Sequence, residues 1–198
     1  MAIDKNNKYR QVVANPEITS NKEYCDFLYG YLQANSMRGE DGRRFLLKND
    51  CKFTVLVQKM NNVLNRKTMS KYFNFLVDEG LIYEEEDKYF INELDRDSGY
   101  LLDFEILNAL VELKDRHAID LYVYLVNLYF ANGKKSFIAT MRNMKEYVGL
   151  ATSTTSNNEI VKEALDRLQD LGLISYRVQY LADQNKRFYK FNRVKSRA

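Results

Sequence analysis

The feature of this sequence that most constrains its fold is a segment ending that occurs twice. One copy closes around Gly80 and the other around Gly172, and both follow the pattern apolar-x-x-Leu-x-Asp-x-Gly-Leu-Ile. Apolar residues at this spacing bury one face of a helix, and the glycine supplies the left-handed residue that ends the helix. The sequence therefore predicts two helices that end in the same cap and lead directly into a strand.

A helix that passes through such a cap into a hairpin is typical of the third helix and the wing of a winged-helix module. Since the pattern occurs twice, we predict two tandem winged-helix (helix-turn-helix) modules, mainly α with small β-hairpin wings. The predicted organisation is a polar arm at 1–20, a first module at 21–92, a linker at 93–100 and a second module at 101–195. Helix-turn-helix modules place this helix in the major groove of DNA.

Composition argues against several other classes of protein. No apolar run reaches the roughly 18 residues that a membrane-spanning helix needs, so no membrane partner is expected. Two cysteines, Cys25 and Cys51, do not make a disulfide framework, and reduced thiols in a cytoplasmic protein are expected. With His117 as the one histidine and no glycine-rich phosphate loop, we expect no enzyme, no cofactor and no metal site.

The formal net charge of +3 favours a nucleic-acid partner only weakly. Its distribution is more informative, because the cations that follow Asp183 have no acidic residue among them: Lys186, Arg187, Lys190, Arg193, Lys195 and Arg197. Two interpretations stay open, a solvated tail or a basic wing and tail that lie along phosphates.

The helix predicted to begin at Arg66 carries side chains suited to base reading. If Met69, Phe73, Leu76 and Val77 face the core, the opposite side presents five polar residues: Arg66, Lys67, Ser70, Lys71 and Asn74. Arginine and lysine donate to guanine, asparagine pairs with adenine, and all of them can hold phosphates. The alternative interpretation is a helix face that is merely soluble.

The wing predicted after this helix is acidic, since Glu84, Glu85, Glu86 and Asp87 follow one another. Four negative charges would repel phosphates. If the first module binds DNA, its wing tip is expected to point away from the duplex, toward a partner.

The corresponding helix of the second module is nearly neutral, because Asn158 and Lys162 alternate with acidic residues. The turn ahead of it includes Thr154 and Asn157, whose hydroxyl and amide groups suit a phosphate at a helix start. Such turns are also common without function. The second wing is therefore expected to be the stronger DNA contact of this module, through Arg187 and Lys190.

Two local signals set further element boundaries. Apolar spacing predicts a helix from Phe53 to Leu64. Ser156 with Glu159 three positions later matches a capping box at the start of the last helix.

The second half of the chain resembles a known family. The matching segments are Tyr100–Leu102, Leu113–Asp115, Ala118–Leu125, Asn157-Asn158 and Leu171–Ile174. They are similar to segments of winged-helix replication proteins from low-GC Gram-positive plasmids and phages. The resemblance covers most of residues 53–180, and it implies binding to repeated origin sequences. It carries over two groups of residues: Arg66, Lys67, Ser70, Lys71 and Asn74 as major-groove readers, and Lys186, Arg187 and Lys190 as wing contacts.

Residues and resemblance together favour sequence-specific binding of double-stranded DNA, in replication initiation or in transcriptional control for a plasmid or phage. A homodimer and a host replication or regulatory protein stay open as further partners. The alternative hypothesis is a winged-helix adaptor, or a mobile-element regulator, that binds a host protein. The acidic first wing favours this alternative, whereas the cations between Arg66 and Lys71 favour DNA.

Overall fold

The structure, a computed structural model, describes residues 9–14, 23–93, 99–181 and 186–195. In these ranges the chain is mixed α/β, with seven helices and nine strands. The expectation of a mainly α fold is thus corrected, because strands form outside the two hairpins as well. None of the helices in the described ranges combines the length and the apolar character needed to cross a bilayer.

The chain divides into two compact units between Lys114 and Asp115. The elements of the first unit are β1 (Tyr9–Ala14), α1 (Glu23–Ala34), β2 (Met37–Arg38), β3 (Arg44–Leu47), α2 (Phe53–Lys59), α3 (Arg66–Asp78), β4 (Ile82–Glu85), β5 (Lys88–Ile91), β6 (Gly99–Asp103) and α4 (Phe104–Glu112). Strands β2 to β5 form an antiparallel sheet in the order β2-β3-β5-β4. The core of this unit includes Phe27, Leu56, Met69 and Leu76, all at most 3% exposed.

A separate antiparallel sheet is formed by the two strands β1 and β6. Tyr9 pairs with Asp103 at one end of this sheet, and Ala14 pairs with Gly99 at the other. The sequence predicted a polar arm and the end of a linker at these positions. Because β6 runs directly into α4, this helix belongs to the first unit, whereas the sequence assigned it to the second module.

The second unit consists of α5 (Arg116–Ala131), β7 (Phe137–Ala139), α6 (Met141–Tyr147), α7 (Ser156–Asp170), β8 (Ile174–Leu181) and β9 (Lys186–Val194). Its antiparallel sheet has the order β7-β9-β8. Leu121, Leu165, Leu168 and Phe191 are fully buried and form part of its core.

Apart from β1, β2, β6 and α4, the first unit has the same order of elements as the second: a helix, a strand, two helices and a hairpin. The strand before the second helix pairs with the last strand of the hairpin in both, β3 with β5 and β7 with β9. We refer to β4–β5 as the first hairpin and to β8–β9 as the second hairpin.

Equivalent hydrogen bonds close the base of both hairpins. A fully buried tyrosine of the first helix donates its hydroxyl proton to the carbonyl after the last strand, Tyr29 to Asn92 and Tyr122 to Lys195. The backbone amide of Asn92 donates to the Leu81 carbonyl over 3.0 Å, and that of Lys195 donates to the Leu173 carbonyl over 2.7 Å. The repeat seen in the sequence thus extends to the hydrogen bonds of the core.

The predicted glycine caps are confirmed. Gly80 and Gly172 have φ values of +68° and +65°. In each cap the next leucine amide donates to the carbonyl five residues earlier, Leu81 to Leu76 over 2.9 Å and Leu173 to Leu168 over 3.0 Å. This pair of features defines a Schellman cap, which satisfies carbonyls that the helix end leaves without partners.

Gly80→Ala is expected to lower the free energy of unfolding of the first unit by about 1–2 kcal/mol, because L side chains are strained in left-handed backbone. No atom lies within 4 Å of a Cβ added there, so the cost comes from the backbone alone. Urea unfolding followed by circular dichroism measures it. Gly80→Asn is the matched control and should cost less, since asparagine tolerates this conformation. Equal losses for both variants would contradict this explanation.

Two predicted boundaries are wrong. Helix α2 ends at Lys59 rather than Leu64, because Asn61 and Asn62 adopt left-handed backbone with φ of +49° and +60°. At the start of α7 the N-cap is Thr155, without a side-chain cap bond, so the predicted capping box at Ser156 does not form.

Candidate nucleic-acid interface

The first half of α3 presents cations to solvent. Asn65 caps this helix by accepting a hydrogen bond from the Thr68 amide over 2.9 Å. Its buried side is formed by Met69, Phe73 and Leu76. Val77, which the apolar spacing placed on the same side, is instead 36% exposed, so that prediction is wrong. The remaining predicted contact residues are exposed, apart from half-buried Ser70: Arg66, Lys67, Lys71 and Asn74.

Spacing divides these residues into two sets. Lys67, Lys71 and Asn74 are four and three positions apart, so they share one stripe on the side opposite the core. Arg66 lies instead beside a cavity that Phe73 also lines. The ion pairs within the described ranges engage other cations and leave Arg66, Lys67 and Lys71 available for an external partner.

The acidic charge of the first hairpin is partly compensated within its own unit. Glu84 pairs with Lys48, and the hydrogen bond from that lysine lowers the pKa of the Glu84 carboxyl group. Glu85 pairs with Arg43 over 2.9 Å. Within the described structure only Glu86 and Asp87, both exposed, make no ion pair at this tip. The repulsion that the sequence predicts is therefore reduced.

Arg43 is held in place from several sides. Besides Glu85 it pairs with Asp41 over 2.5 Å and donates to the Tyr83 hydroxyl over 3.2 Å. Its guanidinium lies 4.1 Å from the centre of the Phe90 ring. Arg43, which directly precedes β3, thus contacts both strands of the first hairpin. Its charge is neutralised within the unit and is not available to a ligand.

Helix α7 offers less free charge than α3. Lys162 pairs with Glu159 over 2.7 Å, and this hydrogen bond raises the pKa of the lysine. Arg167 pairs with Asp115 over 2.7 Å. Asn158 is half-buried, and its side-chain oxygen is enclosed by protein. The near neutrality expected of this helix is reinforced by contacts within the second unit.

The turn ahead of α7 is held by two side chains. Lys145 is only 4% exposed, and its ammonium group donates to the carbonyls of Thr152 (2.5 Å) and Thr154 (3.2 Å). Asn157 donates its side-chain amide to the Ala151 carbonyl over 3.0 Å, so part of its predicted phosphate-binding capacity is used internally. Sequence reasoning missed Lys145, because its polar neighbours give no sign that it is buried.

Lys145→Met is expected to destabilise the second unit by about 1–3 kcal/mol, because two backbone carbonyls of the turn lose the charged donor that the buried Lys145 supplies. Hydrogen exchange should show the largest loss of protection in residues 151–155. Lys162→Met is the matched control, since its exposed ion pair contributes at most about 1 kcal/mol. A uniform loss of protection across the unit would contradict a local role for Lys145.

The second hairpin separates its predicted contacts between two faces. Lys190 is opposite both Ile138 and Arg177, so these three residues share the outer face. Arg187 is two positions before the buried Tyr189 in β9, so both side chains lie on the same face of the sheet, the one toward the core. Arg187 itself is exposed. Its charge acts on Lys162 of α7. Arg187 and Lys162 are thus brought together, whereas Lys190 is not part of that group.

The side chain of Lys186 lies outside the described residues, although the residue begins β9. Thr154 is exposed in the turn before α7. Within the described ranges no cluster of three or more histidine, cysteine, aspartate or glutamate residues is placed to hold a metal ion.

Comparison with known proteins adds no family to this description. No family model, curated protein or solved structure matches the chain. The interpretation of the interface therefore depends on its own residues and geometry.

Proposed function

We propose that this protein binds double-stranded DNA sequence-specifically through two tandem winged-helix modules. The order of elements supports this assignment, since a helix, a strand, two helices and a hairpin recur in both units, with β2 as an additional strand in the first. Helices α3 and α7 occupy the third-helix position, which in such modules enters the major groove.

The observation that carries the proposal is the solvent-facing stripe of α3. Lys67, Lys71 and Asn74 project from one side of a helix whose other side is fixed by buried apolar residues. Helices that read bases need donors of this type on a rigid support, because lysine and asparagine contact base edges only when the helix itself is well positioned. In this proposal α3 is the principal reading helix.

The second module makes a different contribution. Ion pairs neutralise the cations of α7, so its third helix contributes little charge. Arg187 of the long second hairpin is exposed beside Lys162, and it provides a phosphate contact at the joint between helix and hairpin. The second module thus contributes mainly to position the protein on the duplex.

Replication initiation for a plasmid or phage is the leading biological role, and transcriptional control is the second. Both roles rest on the resemblance of the second half to plasmid and phage replication proteins. Two binding units in one chain suit a DNA site that is longer than a single helix can read.

A protein-binding adaptor is the alternative, and the tip of the first hairpin favours it. Glu86 and Asp87 are exposed there and would face a basic partner more readily than phosphates. A host replication or regulatory protein would be that partner, and a homodimer is the further possibility in either function.

Selection from a random duplex library with the full chain tests the proposal. We expect enrichment of a defined site, and we expect the logarithm of the binding constant to fall linearly with the logarithm of salt concentration. Failure to enrich any sequence, combined with no duplex binding at low salt, would refute it. Recovery of a protein partner from nuclease-treated host lysate would then support the adaptor.

A further inference from the structure

A cavity of about 360 Å³ lies beside the start of α3 in the first unit. Three cationic residues line it, namely Lys48, Lys52 and Arg66, and none of its described lining residues is acidic. A concave surface lined by charges of one sign concentrates the electrostatic field and attracts a counter-ion.

The charges of these three residues are not equally available. Lys48 already pairs with Glu84 of the first hairpin. Lys52 and Arg66 are exposed, and the described ion pairs include neither of them. An anion in the cavity would therefore meet two cations that have no partner within the described structure.

The wall behind these cations is aromatic and uncharged. Phe73 packs edge-on against Phe53 and Tyr89, with ring centres 5.7 and 5.1 Å apart. Burial raises the pKa of the Cys51 thiol to about 12, so at neutral pH this lining residue adds no negative charge. Thr54 adds a hydroxyl group that can donate to an anion.

We propose that this cavity binds a phosphate group through Lys52 and Arg66, with the Thr54 hydroxyl as a further donor. Guanidinium and ammonium groups together suit phosphate, since arginine donates in a planar fork and lysine supplies a compact charge. The site assigns Arg66 to phosphate rather than to base reading, in contrast to Lys67 and Lys71. It also assigns a role to Lys52, which the sequence pattern did not indicate.

The phosphate has two sources, the backbone of a bound duplex or a free nucleotide or pyrophosphate. With the first source the cavity deepens the proposed function, because it fixes the register of α3 on DNA. With the second source, a small anion would bind Arg66 at the edge of the DNA-facing helix and compete with the duplex for it.

The test titrates the full chain with inorganic pyrophosphate, observed by amide NMR, and separately with the selected duplex at several salt concentrations. Lys52→Ala is the variant, Lys52→Arg the conservative rescue and Lys134→Ala, at an exposed lysine of the second unit, the control outside the cavity. We expect pyrophosphate to shift amides around Lys52 and Arg66, and Lys52→Ala to weaken its binding about tenfold. Lys52→Arg should restore it, and Lys134→Ala should leave it unchanged.

The duplex titration identifies the source. A salt slope reduced by about one in Lys52→Ala assigns the cavity to the DNA backbone, whereas an unchanged slope with weakened pyrophosphate binding assigns it to a free phosphate. The inference is overturned if Lys52→Ala changes neither titration, or if no pyrophosphate shift occurs and no duplex effect is measured. Should the chain bind no duplex at all, the pyrophosphate titration still decides this inference separately from the proposed function.

Discussion

Phe73→Ala is expected to lower the free energy of unfolding of the first unit by about 3–5 kcal/mol, the usual cost of truncating a buried phenylalanine. Phe73 is 3% exposed and packs edge-on against Phe53 and Tyr89. It thereby joins α3 to the start of α2 and to β5, so its removal leaves a cavity among three elements. Urea unfolding measures the loss, and hydrogen exchange locates it in the first unit.

Val77→Ala on the same helix is the matched control. Val77 is 36% exposed, and trimming a residue so exposed is expected to cost less than about 1 kcal/mol. The interpretation is contradicted if both variants lose similar stability, because burial would then not determine the effect. Since domains are stable by only about 5–15 kcal/mol, the Phe73 variant is expected to unfold at markedly lower urea concentration.

Replacing both Lys67 and Lys71 with alanine is expected to weaken duplex binding by roughly 10- to 100-fold. A good base contact contributes about 1–3 kcal/mol, and lysines that contact phosphates add a salt-dependent part. Neither lysine makes an ion pair within the described structure, so their loss should leave the fold intact. Fluorescence anisotropy with the selected duplex, repeated at several salt concentrations, measures the change.

Lys134→Ala with Lys135→Ala makes the same change in net charge in the second unit. Both residues are exposed in the turn between α5 and β7. If this control weakens binding as strongly as the α3 variant, general electrostatic attraction explains the affinity. Unchanged affinity after removal of Lys67 and Lys71 would exclude α3 from the interface.

Local patterns predicted the elements whose signals lie close together in sequence. Helix α3 begins at Arg66 as predicted, and the glycine caps end both third helices where the repeated pattern placed them. Their determinants are contained within a few residues: apolar spacing, an asparagine N-cap and a glycine with positive φ. The first strand pair, in contrast, joins residues 9–14 to 99–103, and no local pattern records such a distant partner.

Competing local signals explain the errors in boundaries. Val63 and Leu64 continue the apolar spacing of α2, but two left-handed asparagines stop the helix before them. Glu159 fits a capping box by spacing, yet it pairs with Lys162.

The candidate interface was only partly accessible from the sequence. Helical spacing placed Lys67, Lys71 and Asn74 on one outward stripe, and their contact with DNA stays a prediction. The compensation of Glu84 and Glu85 depends on Lys48 and Arg43, which come from a distant part of the chain. Lys52 was not predicted from the sequence, because the cavity that it lines forms only when α2 and α3 pack together.

The bonds that close the base of each hairpin have a consequence for how such a chain can change. Strands β4 and β5 have four residues each, whereas β8 and β9 have eight and nine. The same tyrosine, leucine and glycine positions support both lengths. Because the joint is fixed at its base, the distal part can lengthen, shorten or reverse its charge without disturbing the core. Evolution, or an engineer who transplants one ribbon onto the other unit, can therefore alter the exposed surface of the ribbon while the supporting scaffold stays the same.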